Sequence, residues 1–200
     1  MFSPALVAQR IEQTRPKGEM GVQFPPGAKN NLMAGKDRYI IAKNWPFVVV
    51  GCLVVRGDKV LLVKEARKEA GSWNQPAGWL EKYENPVVGA KREAEEETGF
   101  RIKIKGFLGV YSLDRRKVKR WQRAGPVDLH AIKFLFIAKV VGRGQKLNPL
   151  EIAEVRWFSL KEIKNLHKQK ILRDPDMINE VQDYLAGRSY DLKLVRHLIV

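Results

Sequence analysis

The sequence holds a single cysteine, Cys52, among its 200 residues. An intramolecular disulfide is thereby excluded, as is a zinc site built from several thiolates. Its three histidines, His130, His167 and His197, lack the close spacing of zinc ligands. Apolar runs are short, and none approaches the about 18 residues needed to span a bilayer. No membrane association is expected. The first residues lack the charged start and long apolar core of a signal peptide. Acidic residues are the scarcer charge, 22 against 37 basic ones, so the net charge is +15 and the pI about 10.0. Such a surface attracts polyanions, among them nucleotides and nucleic acid, without choosing between them. The 44% hydrophobic content suits one globular domain with a sizeable core. Cys52 lies in the apolar run VVVGCLVV with no activating neighbour, and reads as a buried thiol in a reducing, cytoplasmic setting. No feature encodes an oligomeric state.

Residues 1–32 show neither helical nor strand period and end near Pro25-Pro26-Gly27. Strings such as VAQRIEQ and GVQFPPGA resemble the conceptual translation of a transfer-RNA gene. The segment is expected to be a disordered extension, or the product of a start placed too early, with translation beginning at Met33. Without it the charge falls from +15 to +13, because four basic and two acidic residues leave. The domain is expected over 39–200. Phe47–Val55 is a β-branched run that predicts a buried strand, 56–59 a turn, and Val60–Glu65 the hairpin partner. Residues 66–77 read as a loop, 100–113 as one or two strands, and Ile132–Val141 and Glu154–Ser159 as further strands. Helices are expected at 160–168 and 174–187, the latter capped by Asp174 and stopped by Gly187. Strands and helices alternate without a regular βαβ rhythm, so an α/β fold with a mixed sheet between helices is expected.

The most informative stretch is 78–100, GWLEKYENPVVGAKREAEEETGF. Asn85 suits a helix N-cap, Pro86 the first helical position and Gly99 the position just past the end, which predicts a helix from 86 to 98. Glu93, Glu96 and Glu97 then share one face. Three crowded carboxylates repel each other unless they hold a hard divalent cation, for which oxygen donors are suited. The planar fork of Arg92 can hold Glu84 of the preceding loop through two parallel hydrogen bonds. Glu95 is expected to face away into solvent. A solvated acidic helix would not also require Gly78, Glu84, Arg92 and Gly99 in register.

With Gly78, Glu84, Arg92, Glu93, Glu96, Glu97, Gly99 and the apolar Phe100 at these spacings, the stretch resembles the signature of the Nudix (MutT-like) hydrolases. The resemblance covers about 45–160. It implies an α/β/α sandwich and a magnesium-dependent enzyme, with manganese as the alternative ion, that cleaves a phosphoanhydride in a small phosphorylated substrate. It further implies that Glu93, Glu96 and Glu97 hold the metal together with the carbonyl of Ala77, while Gly78, Glu84, Arg92 and Gly99 shape the box. Relatives differ in the general base. Glu93 is one candidate and Glu151, on the loop before the last strand, is another. Glu151 also reads as an ordinary surface glutamate.

Trp73–Gly78, WNQPAG, with the distal segments Ile171–Pro175 and Ala186–Tyr190, is similar to the phosphatase NudJ branch of that family. The branch implies nucleoside di- and triphosphates, thiamine pyrophosphate or its pyrimidine pyrophosphate precursor as substrates. Arg67 lies where some relatives bind phosphate, and reads equally as a surface arginine. Trp73 reads as a packing residue beside the site rather than a stacking platform. Residues 115–123, RRKVKRWQR, depart from the branch. Arg115 and its neighbours could grip a polyphosphate while Trp121 stacks on a base, although a solvated hairpin loop accounts for the same composition. Two rivals follow: an ADP-ribose or dinucleoside polyphosphate hydrolase, and an RNA-end pyrophosphohydrolase or non-catalytic nucleic-acid-binding protein.

Overall fold

The computed structural model describes residues 46–66, 72–114 and 130–199, all within one unit, Lys36–Val200. The expectations for residues 1–32, Arg67 and the segment 115–123, with Arg115 and Trp121, lie outside the described residues. The elements run β1 (Phe47–Arg56), β2 (Lys59–Glu65), β3 (Trp73–Asn74), β4 (Ala77–Trp79), α1 (Pro86–Thr98), β5 (Phe100–Asp114), β6 (His130–Arg143), β7 (Ile152–Ser159), α2 (Leu160–Lys168) and α3 (Met177–Leu185). A single 3-10 turn, Leu192–Leu194, follows.

β1 is the hub of the sheet. It pairs in parallel with β6 from Phe47 opposite Ala131 to Val54 opposite Ala138. It pairs antiparallel with β2 across the two-residue turn at Gly57-Asp58, and with β4 from Val49 opposite Trp79 to Gly51 opposite Ala77. The path β3-β2-β1-β6-β5, with β4 on β1 and β7 on β2, makes a mixed sheet, as expected. The apolar run of β1 is buried on both faces, which is why it shows no polar alternation. Val50, Cys52 and Val54 pack with Ala90 and Ala94 of α1 on one side. Leu53 and Val55 pack with Leu166 of α2 and Met177 and Val181 of α3 on the other. The period of two thus feeds two cores, and the helices cover both faces of the sheet.

Two expectations are corrected, and one that left two alternatives is settled. The stretch 66–77, expected as a loop, contains β3 and the start of β4; strands of two or three residues are too short to show a period, and Trp73 is an anchor rather than a loop residue. The stretch 100–113 is one strand, bent by register shifts between Arg101 and Ile102, Ile104 and Gly106, and Phe107 and Gly109. The last helix begins at Met177 with Asp176, not Asp174, at its N-cap. Asp174 is buried and accepts a hydrogen bond from Asn74 Nδ2 at 3.2 Å. The ring of Pro175 also disfavours helical geometry at the residue before it. Gly187 does follow the helix end in left-handed geometry, φ 82°.

Cys52 is fully buried, and its Sγ donates to the Ala90 carbonyl at 3.2 Å. Burial pushes its thiol far up, and the charge of Glu95 adds to this. The native protein should therefore resist thiol reagents at neutral pH and react fully once unfolded, a contrast that a colorimetric thiol assay with and without denaturant reads directly. Rapid labelling of the native protein would contradict the packing. Among the described residues, no helix is long and apolar enough to cross a membrane.

Candidate active site

α1 builds the site, and its ends are held locally. The Asn85 side chain accepts from the Val87 amide at 2.8 Å, Pro86 occupies the first turn, and Gly99 at φ 70° donates its N–H to the Glu95 carbonyl. These contacts fix the helix from 86 to 98 and so fix which face carries Glu93, Glu96 and Glu97.

Arg92 is the clamp. Its Nε and Nη2 donate to the two oxygens of Glu84 at 2.8 and 3.0 Å, the bidentate pairing expected from the sequence. Its Nη2 also reaches the Trp79 carbonyl at 3.3 Å, and Nη1 reaches Glu93 Oε1 at 2.8 Å and Glu96 Oε2 at 3.3 Å. Glu84 is held below the usual carboxylate range, chiefly by the Arg92 hydrogen bond. One guanidinium therefore ties the loop before the helix to β4 and to two of the three helix carboxylates. Two glycines permit this closeness. A Cβ on Gly78 would overlap the carboxylate of Glu93, and one on Gly89 would lie 2.6 Å from Glu84 Oε2. Gly89 was not singled out in the sequence, where it reads merely as a poor helix former.

Glu97 Oε2 accepts the Ala77 N–H at 2.9 Å. Its pKa is pushed up to about 8, mostly by burial and then by the negative charge of Glu93; Glu96 and Glu151 add to the rise and the Ala77 bond opposes it. Burial likewise raises Glu93, against the pull of Arg92. The long-range influence of Glu151 is direct, since it stands in the same cleft. That cleft, about 310 Å³, is lined by Glu65, Glu93, Glu96, Glu97, Asn148, Glu151 and Ile152. Backbone bonds place Glu151: its N–H donates to Asn148 O at 3.0 Å, and its carbonyl accepts from the Ala66 N–H at 2.8 Å.

The structure thus brings Glu93, Glu96, Glu97 and Glu151 to one cleft, with Ala77 bonded to Glu97 at its edge. Trp73 is buried, packed edge-on against Phe158 at 4.7 Å, so its ring is a core element and not a surface for substrate. Glu95 is corrected: rather than facing solvent, it accepts from the Ile102 amide at 2.9 Å and pairs with Lys91 at 3.3 Å, tying the helix to β5. Sequence reasoning missed Glu65 and Asn148, neither of which stands in any local pattern.

Among the described residues, no group of three His, Cys, Asp or Glu side chains forms a ready-made metal cage. Glu93 and Glu96 turn to Arg92, and Glu97 to the Ala77 amide. The donor set still suits a hard divalent cation. Every donor lining the cleft is an oxygen of a carboxylate or an amide, and the carboxylates raise one another's proton affinity. A cation would relieve that repulsion.

A profile of the NUDIX domain matches residues 45–180. The chain belongs to the Nudix hydrolase family, enzymes that act on small phosphorylated substrates with the help of divalent metal ions. It is a pyrophosphohydrolase of that family. The chain is 30% identical over 155 residues to the phosphatase NudJ of Shigella boydii serotype 4, a match covering 75% of this chain and 90% of the relative. A NUDIX hydrolase from Nitrosomonas europaea superposes with a TM-score of 0.65 at 30% identity, covering 77% of this chain and 98% of the other. A UDP-X diphosphatase shares the fold, with a TM-score of 0.57 at 22% identity over 94% of this chain and 81% of its own.

Proposed function

We propose that this protein hydrolyses a phosphoanhydride in a nucleoside di- or triphosphate, or in a pyrimidine or thiamine pyrophosphate, with magnesium as its cation and the cytoplasm as its setting. The observation that carries this reading is the meeting of three carboxylates from one helix, Glu93, Glu96 and Glu97, with Glu151 from the β6–β7 loop in a single cleft. The similarity to a phosphatase NudJ supports the substrate class.

In this reading Glu93, Glu96 and Glu97, with the Ala77 carbonyl, hold the cation. The cation neutralises phosphate charge and makes water easier to deprotonate. The rest is the work of the chain. Arg92 orients Glu93 and Glu96 by donating to each, and Gly78 leaves room for the Glu93 carboxylate. Water attacks phosphorus; the new P–O bond forms as the bridging P–O bond breaks and the leaving phosphate departs. The proton released by the water passes to a carboxylate, either Glu93, whose proton affinity burial raises, or Glu151, which lines the same cleft. The rival reading as an RNA-end pyrophosphohydrolase or a non-catalytic nucleic-acid-binding protein draws on the high pI and on residues 115–123, which lie outside the described residues, and its non-catalytic form gives the cleft carboxylates no task.

The test is phosphate and pyrophosphate release from nucleoside di- and triphosphates, thiamine pyrophosphate, ADP-ribose, a dinucleoside polyphosphate and triphosphorylated RNA. Turnover should require magnesium, vanish in EDTA, and favour the nucleoside phosphates and thiamine pyrophosphate. A clear preference for ADP-ribose, the dinucleotide or RNA would overturn the substrate assignment.

A further inference from the structure

Glu65 has no part in the reaction just described, yet it lines the same cleft as Glu93, Glu96, Glu97 and Glu151. It ends β2 at the point where the pairing with β7 shifts register, between Lys64 and Glu65. Bulges of this kind re-aim a side chain at a strand end. The backbone there is pinned: the Glu65 N–H donates to Ser72 O at 3.3 Å, and the next amide, Ala66, donates to Glu151 O at 2.8 Å. The Glu65 carboxylate is gripped by the Arg173 guanidinium.

Arg173 comes from the segment between α2 and α3, and that segment is docked with care. The Trp73 N–H donates to Ile171 O at 2.8 Å, and the Arg173 N–H returns a bond to Trp73 O at 2.8 Å. Asn74 holds Asp174, and Asp174 lies 3.7 Å from Arg173 Nε. The two stretches that stand out in the sequence, WNQPAG and ILRDP, thus meet a hundred residues apart to aim one side chain. Stability does not account for this. The pair is about a quarter exposed on both sides, 26% and 27%, so solvent screens part of its contribution to stability. A carboxylate facing an anionic substrate is unfavourable unless it accepts hydrogen bonds. Magnesium keeps several waters when bound, and carboxylates that receive bonds from around a cation tune its affinity about 10–100-fold.

We propose that Glu65 accepts hydrogen bonds from the water hydrating the divalent cation, and that Arg173 is the positioning residue that aims it there. The inference rests on the metal-dependent reading of Glu93, Glu96 and Glu97. Charge alone makes the opposite forecast for Arg173: removing a cation beside a metal site should strengthen metal binding, whereas loss of positioning weakens it.

The experiment is a manganese titration of the full chain, followed by the paramagnetic resonance of free Mn2+, with melting temperatures recorded in parallel. The proteins are wild type, Glu65→Gln, Arg173→Met, Arg173→Lys, the Glu65→Gln/Arg173→Met double variant, and Glu97→Gln. Glu65→Gln and Arg173→Met should each weaken Mn2+ binding by about tenfold or more. The double variant should be no weaker than Glu65→Gln, because both act through one carboxylate. Arg173→Lys should recover part of the loss. If Glu97→Gln loses Mn2+ while Glu65→Gln and Arg173→Met stay within about twofold of wild type, or Arg173→Met binds more tightly, the role of Glu65 is refuted and the metal site stands. If Glu97→Gln binds Mn2+ like wild type, the metal reading itself fails and this inference falls with it.

Discussion

Glu97→Gln is expected to abolish most turnover with magnesium present, because it removes a charged oxygen donor from the cation site, while leaving the metal-free fold intact. Glutamine keeps the volume and an acceptor oxygen for the Ala77 amide, which the native carboxylate binds at 2.9 Å. It removes only the charge. In the metal-free protein that charge is unwelcome, because burial, then Glu93, Glu96 and Glu151, push the Glu97 pKa up from 4.5 to about 8. The sign of the pH effect follows. Between these two values the folded state binds a proton that the unfolded state has released, so the wild type gains stability as pH falls from 8 toward 4.5. Above pH 8 the full unfavourable contribution is present. Melting curves in EDTA at about pH 5.5 and about pH 8.5 should show this slope in the wild type and its loss in the variant. Above pH 8 the variant should be at least as stable as the wild type. Parallel pH profiles would contradict the raised carboxyl, and undiminished turnover would remove Glu97 from the chemistry.

The second large effect lies away from the cleft. Lys133 is 3% exposed on β6, and its Nζ donates to Glu180 Oε1 at 2.7 Å and Asp176 Oδ2 at 3.4 Å. Glu180 is fully buried on α3 and also accepts from Gln75 Nε2 at 2.8 Å. Burial by itself would lower the Lys133 pKa, but the charges of Glu180, Asp176 and Asp174 outweigh it and hold the ammonium above its ordinary value. Lys133→Met would leave the Glu180 carboxyl without its cation at a site where burial already raises its pKa. Breaking such a pair from one side costs about 3–5 kcal/mol. For a domain of this size that lowers the melting temperature by about 10 °C. The double variant Lys133→Met/Glu180→Gln removes both charges and keeps an acceptor for Gln75, so it should recover much of the loss. Calorimetry of the four-protein cycle measures this coupling. A Lys133→Met protein that melts within about 2 °C of wild type would show that the pair does not hold α3 to the sheet.

The box helix was legible residue by residue because its signals are local. Asn85, Pro86 and Gly99 set its ends within hydrogen-bond reach along the chain, and the three- and four-residue spacing set its acidic face. The Arg92–Glu84 clamp was legible for the same reason, since loop and helix are contiguous. β1, β2, β6 and β7 were visible as apolar runs, which need only composition and length. β3 and β4 were not, because strands of two or three residues carry no period. Glu95 was misread because its partner, the Ile102 amide, lies beyond the helix end.

The sequence by itself determined the chemistry: which helix forms, which face carries Glu93, Glu96 and Glu97, and that oxygen donors crowd there. The tertiary structure decided what surrounds that face. Asn148 and Glu151 reach the cleft from the β6–β7 loop and Glu65 from the end of β2, and Arg173 and Lys133 find their carboxylates across 108 and 47 residues. Local backbone geometry is settled by neighbours in the chain. Long-range pairing is settled by how the sheet and helices close over two cores, and that closure leaves no mark in the spacing of residues so far apart.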